Sequence, residues 1–278
     1  MVRLDAASPS TSRPDWALIG AGRLGTRLAA GLAATGWRLR LVRSRSPHEP
    51  DLLPARTVCD TWGAPWPVPR LAVVFVCVPD AAVGDVARQL AAEADLTGAA
   101  VLHTSGLHTC ELLAPCRDNG AAVASWHPLL AFPSPQSTPV SWAGAPCAVE
   151  GDLPAVDIGF AAAHDLGLLP WRIRPEDKPL YHAAAAVASN LTHILVAAAA
   201  RLIADCGLPA EGGPSGLQPL VMGSVEAALS APGGERLTGA IARGDWETVA
   251  AHLAVLPPPL AKVYEALIPL VRESRAKT

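Results

Sequence analysis

Three glycines and a handful of histidines carry the chemistry available to this sequence. Gly20, Gly22 and Gly25 form GxGxxG within GAGRLG, with Arg23 and Leu24 ahead of the third glycine. The run follows a strand-like stretch, WALIG, and opens a helix-like one. In that context the glycines permit a tight turn and close approach of backbone to a pyrophosphate, whose charge the helix N-terminus stabilises. The next strand ends near Val42. An acidic residue there would bind a ribose 2′-hydroxyl, but this chain has Arg43, Ser44 and Arg45. Cations and hydroxyls at that point suit a 2′-phosphate, so the expected cofactor is NADP(H). Val78, Pro79 and Asp80 follow another buried strand, where the chain passes a nicotinamide ribose; Asp80 is expected to cap the helix that follows.

Hydride delivery to a C=O or C=N carbon needs a proton donor and polar groups that orient the substrate. Four places offer them. HTSG (103–106) and WHPLLAF (126–132) each lie at the end of a predicted parallel strand, the edge at which such sheets bind ligands. Ser105 and His127 are the candidates there, while His103, inside its strand, reads as a core histidine. In the helical stretch YHAAAAVASN and beyond, His182, Ser189 and His193 project within roughly 20° of one another at 100° per residue, with Asn190 about 80° aside. On a buried helix such a polar stripe would be costly without a role. The fourth place, LTGAIARGD (237–245), carries Arg243, which could clamp a carboxylate, and Asp245, which could bind substrate or cap the next helix.

The elements that must position these groups alternate. Strand-like runs at 16–20, 37–42, 71–78, 99–105, 121–126 and 145–151 are separated by helical stretches such as 23–36 and 80–94, which predicts a mainly parallel, doubly wound α/β sheet. A short run, LLPWRI, closes this part near residue 174. Beyond it the pattern is helical only, at 176–206, 217–230, 246–255 and 259–273, with Gly and Pro clusters between. The expected organisation is a disordered tail at 1–15, a Rossmann domain at 16–174 and an all-α substrate and dimerisation domain at 175–278.

The chain has 278 residues, is 50% hydrophobic and has a net charge of −3, so nucleic acid and anionic membrane are poor partners. Its six cysteines lack metal-ligand spacing, and no metal site is expected. No secretory signal is seen, and the expected location is the cytoplasm. The alanine-rich segment 183–204 is long enough to span a bilayer, but Ser189, Asn190, His193 and Arg201 argue for a helix buried in the protein or in a homodimer.

With GAGRLG, HTSG, WHPLLAF, YHAAAAVASN and LTGAIARGD in that order, the chain resembles a Rossmann-like oxidoreductase family whose C-terminal half is a domain of unknown function. Its wider relatives are similar to ketopantoate reductase, pyrroline-5-carboxylate reductase and the β-hydroxyacid dehydrogenases. The resemblance implies a 6-phosphogluconate-dehydrogenase-like helical domain, a small-molecule substrate and an NADPH-dependent reduction, with ketopantoate as leading substrate and a cyclic imine as the alternative. A third reading is a non-catalytic NADP(H)-binding regulator. On the family pattern His182 takes the place of a catalytic lysine and Asn190 that of a later asparagine. Lys178, one turn earlier, would substitute in part for the lost cation. The HP pair is similar to that of prephenate dehydrogenases, which favours His127 as the group on the reacting atom.

Overall fold

The computed structural model describes residues 13–45, 53, 58–60, 72–134, 139–207, 216–230 and 237–276. Within them the chain divides into two compact units, one reaching Asn190 and the other starting at Leu191. The dividing point falls inside the long helical run that the sequence assigns to a second domain.

The first unit is built on strands β1 (Asp15–Ile19), β2 (Arg38–Arg43), β3 (Val58–Asp60), β4 (Val73–Val76), β5 (Ala100–His103), β6 (Ala122–Pro128), β7 (Pro146–Gly151) and β8 (Leu169–Arg172). They form one sheet in the order β3-β2-β1-β4-β5-β6-β7-β8. All neighbours are parallel except β6 and β7, so the last two strands run against the rest. Helices α1 (Arg23–Ala34) and α4 (Leu153–Asp165) belong with one face, α2 (Asp80–Glu93) and α3 (Ala114–Asp118) with the other. The reason is visible in β1, where alternate residues enter different cores. Trp16 and Leu18 join Leu28, Leu32, Phe75, Trp126 and Val149; Ala17 and Ile19 join Val74, Val83, Leu90 and Val123. A sheet covered on both sides reads as a continuous apolar run, which is how β1 and β4 look in sequence.

On the first face Phe75 meets Trp16 and Trp126 edge-on, with centroids 5.7 and 5.4 Å apart. The Trp126 indole also donates to the Gly159 carbonyl at 2.9 Å. Arg27, on the same helix as the glycine turn, is buried; it donates to the carbonyls of Arg23 at 2.7 Å and Pro133 at 2.6 Å. That contact ties α1 to the segment leaving β6. The expected tail at 1–15 lies largely outside the described residues, but Arg13 pairs with Asp165 and Asp15 already belongs to β1.

Helix α5 (Lys178–Ala186) is followed by a π turn at Val187–Leu191, within which the first unit ends. The second unit contains α6 (Thr192–Asp205), α7 (Gln218–Ser230), α8 (Ala240–Arg243), α9 (Trp246–Val255) and α10 (Pro258–Ala276). Asp245 caps α9, accepting from the Thr248 amide at 3.1 Å and from its hydroxyl at 2.7 Å, and Arg272 lies 4.5 Å over the Trp246 ring. Few side chains of this unit are buried, among them Leu217, Ala240, Ala242 and Val249, while Ile194, Leu220, Leu229 and Leu270 are all more than half exposed. Pro175–Asp205 is one run long and apolar enough to cross a membrane by length and composition alone. Of the two settings expected from the sequence, burial within the chain itself does not hold, since Val187, Leu191 and Ile194 are 58%, 54% and 63% exposed there.

Candidate functional site

The glycine turn behaves as three separate devices. Gly20 has φ +95°, and a Cβ there would lie 2.5 Å from the Cys77 carbonyl oxygen; one at Gly25 would lie 2.1 Å from that of Gly20. Both glycines are demanded by the protein itself. A Cβ on Gly22 would meet nothing within 4 Å. The space beside it is open at the start of α1, a helix with no side-chain cap and no acidic residue in its first turn. Free amides facing an open cradle fit a pyrophosphate. Arg23 is exposed beside it and Leu24 half-buried.

At the end of β2 the side chains divide. Arg43 is fully buried and donates to Glu93 at 2.8 Å, so it is not a 2′-phosphate ligand as expected but an internal ion pair. Ser44 is half-buried and Arg45 exposed, so these two of the three expected residues reach the surface. After β4, Val78 is half-buried and Pro79 exposed. Asp80 does not cap α2, because Pro79 occupies the N-cap position with an extended backbone. Its carboxylate instead accepts the Ser105 hydroxyl at 2.8 Å.

That bond changes the reading of Ser105. Its oxygen also accepts the amides of Leu107 at 3.3 Å and His108 at 3.1 Å, and the residue is 3% exposed. Ser105 therefore organises the loop after β5 and is not a catalytic hydroxyl. His103 beside it is fully buried; Nδ1 accepts the Ser105 amide at 3.1 Å, so Nε2 carries the proton that reaches the Thr109 carbonyl at 2.9 Å. Burial lowers its pKa from 6.5 to about 4, keeping it neutral.

The reacting centre that the geometry offers lies around Gly106. A Cβ there would be 2.7 Å from His182 Cδ2 and 2.9 Å from His127 Nε2. The two imidazoles stand edge to face with centroids 6.0 Å apart, both half-buried. His127 Nδ1 is 2.7 Å from the Tyr181 hydroxyl, whose other acceptor, the His127 carbonyl, is 3.4 Å away. A phenol is a stronger acid than a neutral imidazole N–H, so Tyr181 donates along the short contact and Nε2 bears the ring proton toward Gly106. Trp171 backs Tyr181 at 5.7 Å. Burial first, then the Lys178 and His182 charges, lower the His127 pKa to about 4, with Asp80 opposing. His127 is thus a neutral hydrogen-bond donor at pH 7 and not a store of a mobile proton. Burial pushes the Tyr181 phenol upward, which disfavours tyrosinate.

Lys178 is fully buried, with Nζ donating to Ser125 Oγ at 2.8 Å and to the Ser105 carbonyl at 3.2 Å, so it is not a substrate-facing cation. Ser189 and Asn190 are exposed in the π turn, and His193 is exposed in the second unit. A π turn breaks the 100° rule on which their alignment with His182 rested, and the helix is not buried. Asp245 is occupied as a cap, and Arg243 is exposed at the end of α8. Sequence reasoning missed Tyr181, which sat unnoticed in YHAAAAVASN, and Gly106, noted only as part of HTSG. Among the described residues no group of three or more His, Cys, Asp or Glu side chains could hold a metal.

A glycine cradle at the carboxyl edge of a 3-2-1-4-5-6 sheet, with a helical unit after it, defines a Rossmann-type dinucleotide-binding protein. Residues 5–128 match the family model described as a Rossmann-like domain, and residues 145–269 match a domain of unknown function, DUF2520. The chain is a Rossmann-like protein with a C-terminal DUF2520 domain. No curated protein matches it. Among solved structures it is similar to a protein from Bacteroides fragilis whose description as an NADP oxidoreductase is provisional, at 22% identity and a TM-score of 0.79 over 94% of this chain and 98% of that one. It is similar to an imine reductase from Pseudomonas sp., at 18% and 0.63 over 96% and 95% of the two chains. The pyrroline carboxylate reductase of Plasmodium falciparum, solved with NADP bound, shares 11% identity at a TM-score of 0.60 over 95% and 99%. These likenesses concern the fold.

Proposed function

We propose that the chain is an NADPH-dependent reductase acting on a C=N bond of a small cyclic imine. The observation that carries the reading is the neutral His127–Tyr181 pair beside His182 over Gly106, at the sheet edge that also holds the glycine cradle. Gly20, Gly22, Gly25, Arg23, Ser44 and Arg45 would hold the cofactor, which supplies hydride when bound. His127, with its proton on Nε2, donates a hydrogen bond to the substrate nitrogen and polarises the double bond, as a neutral imidazole can. His182, which also borders Gly106 and is partly reached by solvent, delivers the proton that the reduced nitrogen retains. The relatives described as imine and pyrroline carboxylate reductases support this choice by fold alone.

A 2-oxo acid such as ketopantoate, the leading substrate on sequence grounds, is the second reading. It needs a cation for the carboxylate. Lys178, buried on Ser125 and Ser105, does not supply it, and Arg243, the clamp expected from the sequence, belongs to the second unit. The experiment is NADPH consumption by purified protein against an uncharged 1-pyrroline, 1-pyrroline-5-carboxylate, ketopantoate and other 2-oxo acids, with NADH in parallel. We expect turnover on the imines, faster with NADPH. Turnover confined to ketopantoate would replace the imine reading by the 2-oxo acid one; NADPH binding without any turnover would favour a regulatory protein.

We also propose that the protein is a cytoplasmic homodimer acting on a small molecule, with neither nucleic acid nor membrane as partner. The exposed apolar side chains of α5–α7 support a second copy as their cover. Light scattering that finds only monomer at working concentration would refute the dimer.

A further inference from the structure

Lys178 has no exposed surface, although it opens α5 just one turn before His182. Burying an ammonium costs several kcal/mol unless its donors are used, and a methionine would fill similar space without that cost. The donors reach two different segments. Ser125 Oγ, at 2.8 Å, belongs to β6 two residues before His127; the Ser105 carbonyl, at 3.2 Å, immediately precedes Gly106. One side chain thus ties the first turn of α5 to both segments that flank the imidazole pair.

The surroundings are arranged around that charge. Ser105, which offers its carbonyl to Lys178, gives its hydroxyl to Asp80 at 2.8 Å. Glu150 on β7, the cross-strand partner of Ser125, is 5% exposed and accepts the Cys110 amide at 3.0 Å. Burial lowers the Lys178 pKa, and the carboxylates of Glu150 and Asp80 oppose that loss. Lys178 itself is sealed from any substrate, so whatever it contributes passes through its neighbours.

We propose that Lys178 is a positioning residue, whose buried ammonium pins α5 so that Tyr181 and His182 hold the His127 ring in one orientation and one tautomer beside Gly106. The assignment concerns the shape of the site and holds whichever substrate the site takes. Lys178 is fully buried, its ammonium donates both to the residue before Gly106 and to the strand that carries His127, and three residues along α5 the Tyr181 phenol holds His127 Nδ1. Tyr181 sits close to one helical turn from Lys178, so slack at the first turn of α5 is felt directly at the phenol.

The test reads the His127 ring directly and needs no substrate. In full-length protein labelled with ¹⁵N-histidine, imidazole ¹⁵N spectra at pH 7 should show wild-type His127 protonated on Nε2 alone. In Lys178→Met the His127 signals should average between the two tautomers, approaching those of Tyr181→Phe, which marks complete loss of the phenol bond. His103, bonded to Thr109 and the Ser105 amide, reports whether the fold persists. Should Lys178→Met fail to fold, Ser125→Ala removes the shorter of the two acceptors and carries the same test. Unchanged His127 signals in folded Lys178→Met, or in Ser125→Ala where that variant decides, would overturn the assignment and leave Lys178 a packing residue.

Discussion

Replacing Gly106 with alanine separates catalysis from stability. Gly106 lies outside the left-handed backbone region, so alanine is admitted by its φ, and the cost is purely one of space. The new methyl would lie 2.7 Å from His182 Cδ2 and 2.9 and 3.0 Å from His127 Nε2 and Cε1. Carbon contacts settle at about 3.5–4.0 Å, so the rings must retreat by up to about 1 Å. His127 cannot do so freely while Tyr181 holds its far nitrogen at 2.7 Å. Overpacking of this kind costs about 1–3 kcal/mol, and the stiffer unfolded chain returns about 0.4–1 kcal/mol. The net loss is about 0–2.6 kcal/mol, a fall in Tm of up to about 10 °C. Turnover should fall much further, by about 100-fold, because a misplacement near 1 Å is felt fully in the reacting geometry. A thermal melt and NADPH consumption on the preferred imine measure the two quantities. Turnover within twofold of wild type would show that the two imidazoles are not the reacting centre.

Three further outcomes follow from other parts of the molecule. His103 is neutral and buried with its pKa lowered from 6.5 to about 4, so the unfolded chain takes up its proton first as pH falls. Its contribution, about 3 kcal/mol by linkage, is complete above pH 6.5 and lost on the way down through 4; His103→Gln should reduce the slope of urea-melt stability over that window, His127 keeping its own share. Arg45→Ala should weaken NADPH binding about tenfold with NADH unaffected, whereas Arg43→Ala should lower stability by about 1–3 kcal/mol through the void left by a fully buried side chain, Glu93 keeping its Gln89 donor; equal effects on NADPH affinity would contradict the division of roles at β2. Asp245→Ala should cost about 1 kcal/mol through the lost cap, visible as reduced Tm with substrate KM unchanged, and a raised KM would return Asp245 to the binding site.

Much of the first unit was legible because its signals are local. Strand runs at β1, β2, β4, β5, β6 and β7, the helices after β1 and β4, and the GxGxxG turn depend on residues adjacent in the chain. Strand β3 and the short α3 were not anticipated: three residues and five residues are too short for periodicity to register. The site residues divide in the same way. His127 and His182 are brought together by the structure, as their positions at a strand end and on a helix implied. Ser105, Lys178 and Arg43 are polar residues whose partners lie 25, 53 and 50 positions away in sequence, and nothing local tells a buried bond from an exposed binding group. The stripe through Ser189, Asn190 and His193 rested on uninterrupted α geometry, which the π turn at Val187–Leu191 removes.

The Arg27 contact to Pro133 bears on how related chains can drift. What Arg27 grips is a main-chain carbonyl, so any residue at 133 that preserves the path of the segment will serve as well as proline. A substitution at 27 has no such freedom, since only a long guanidinium satisfies both Arg23 and Pro133 oxygens at once. Among homologues the two positions should therefore evolve without covariation, one constrained and the other free. A contact map inferred from correlated substitutions would miss the tie between the cofactor helix and the segment after His127, although it is among the shortest hydrogen bonds in that part of the molecule.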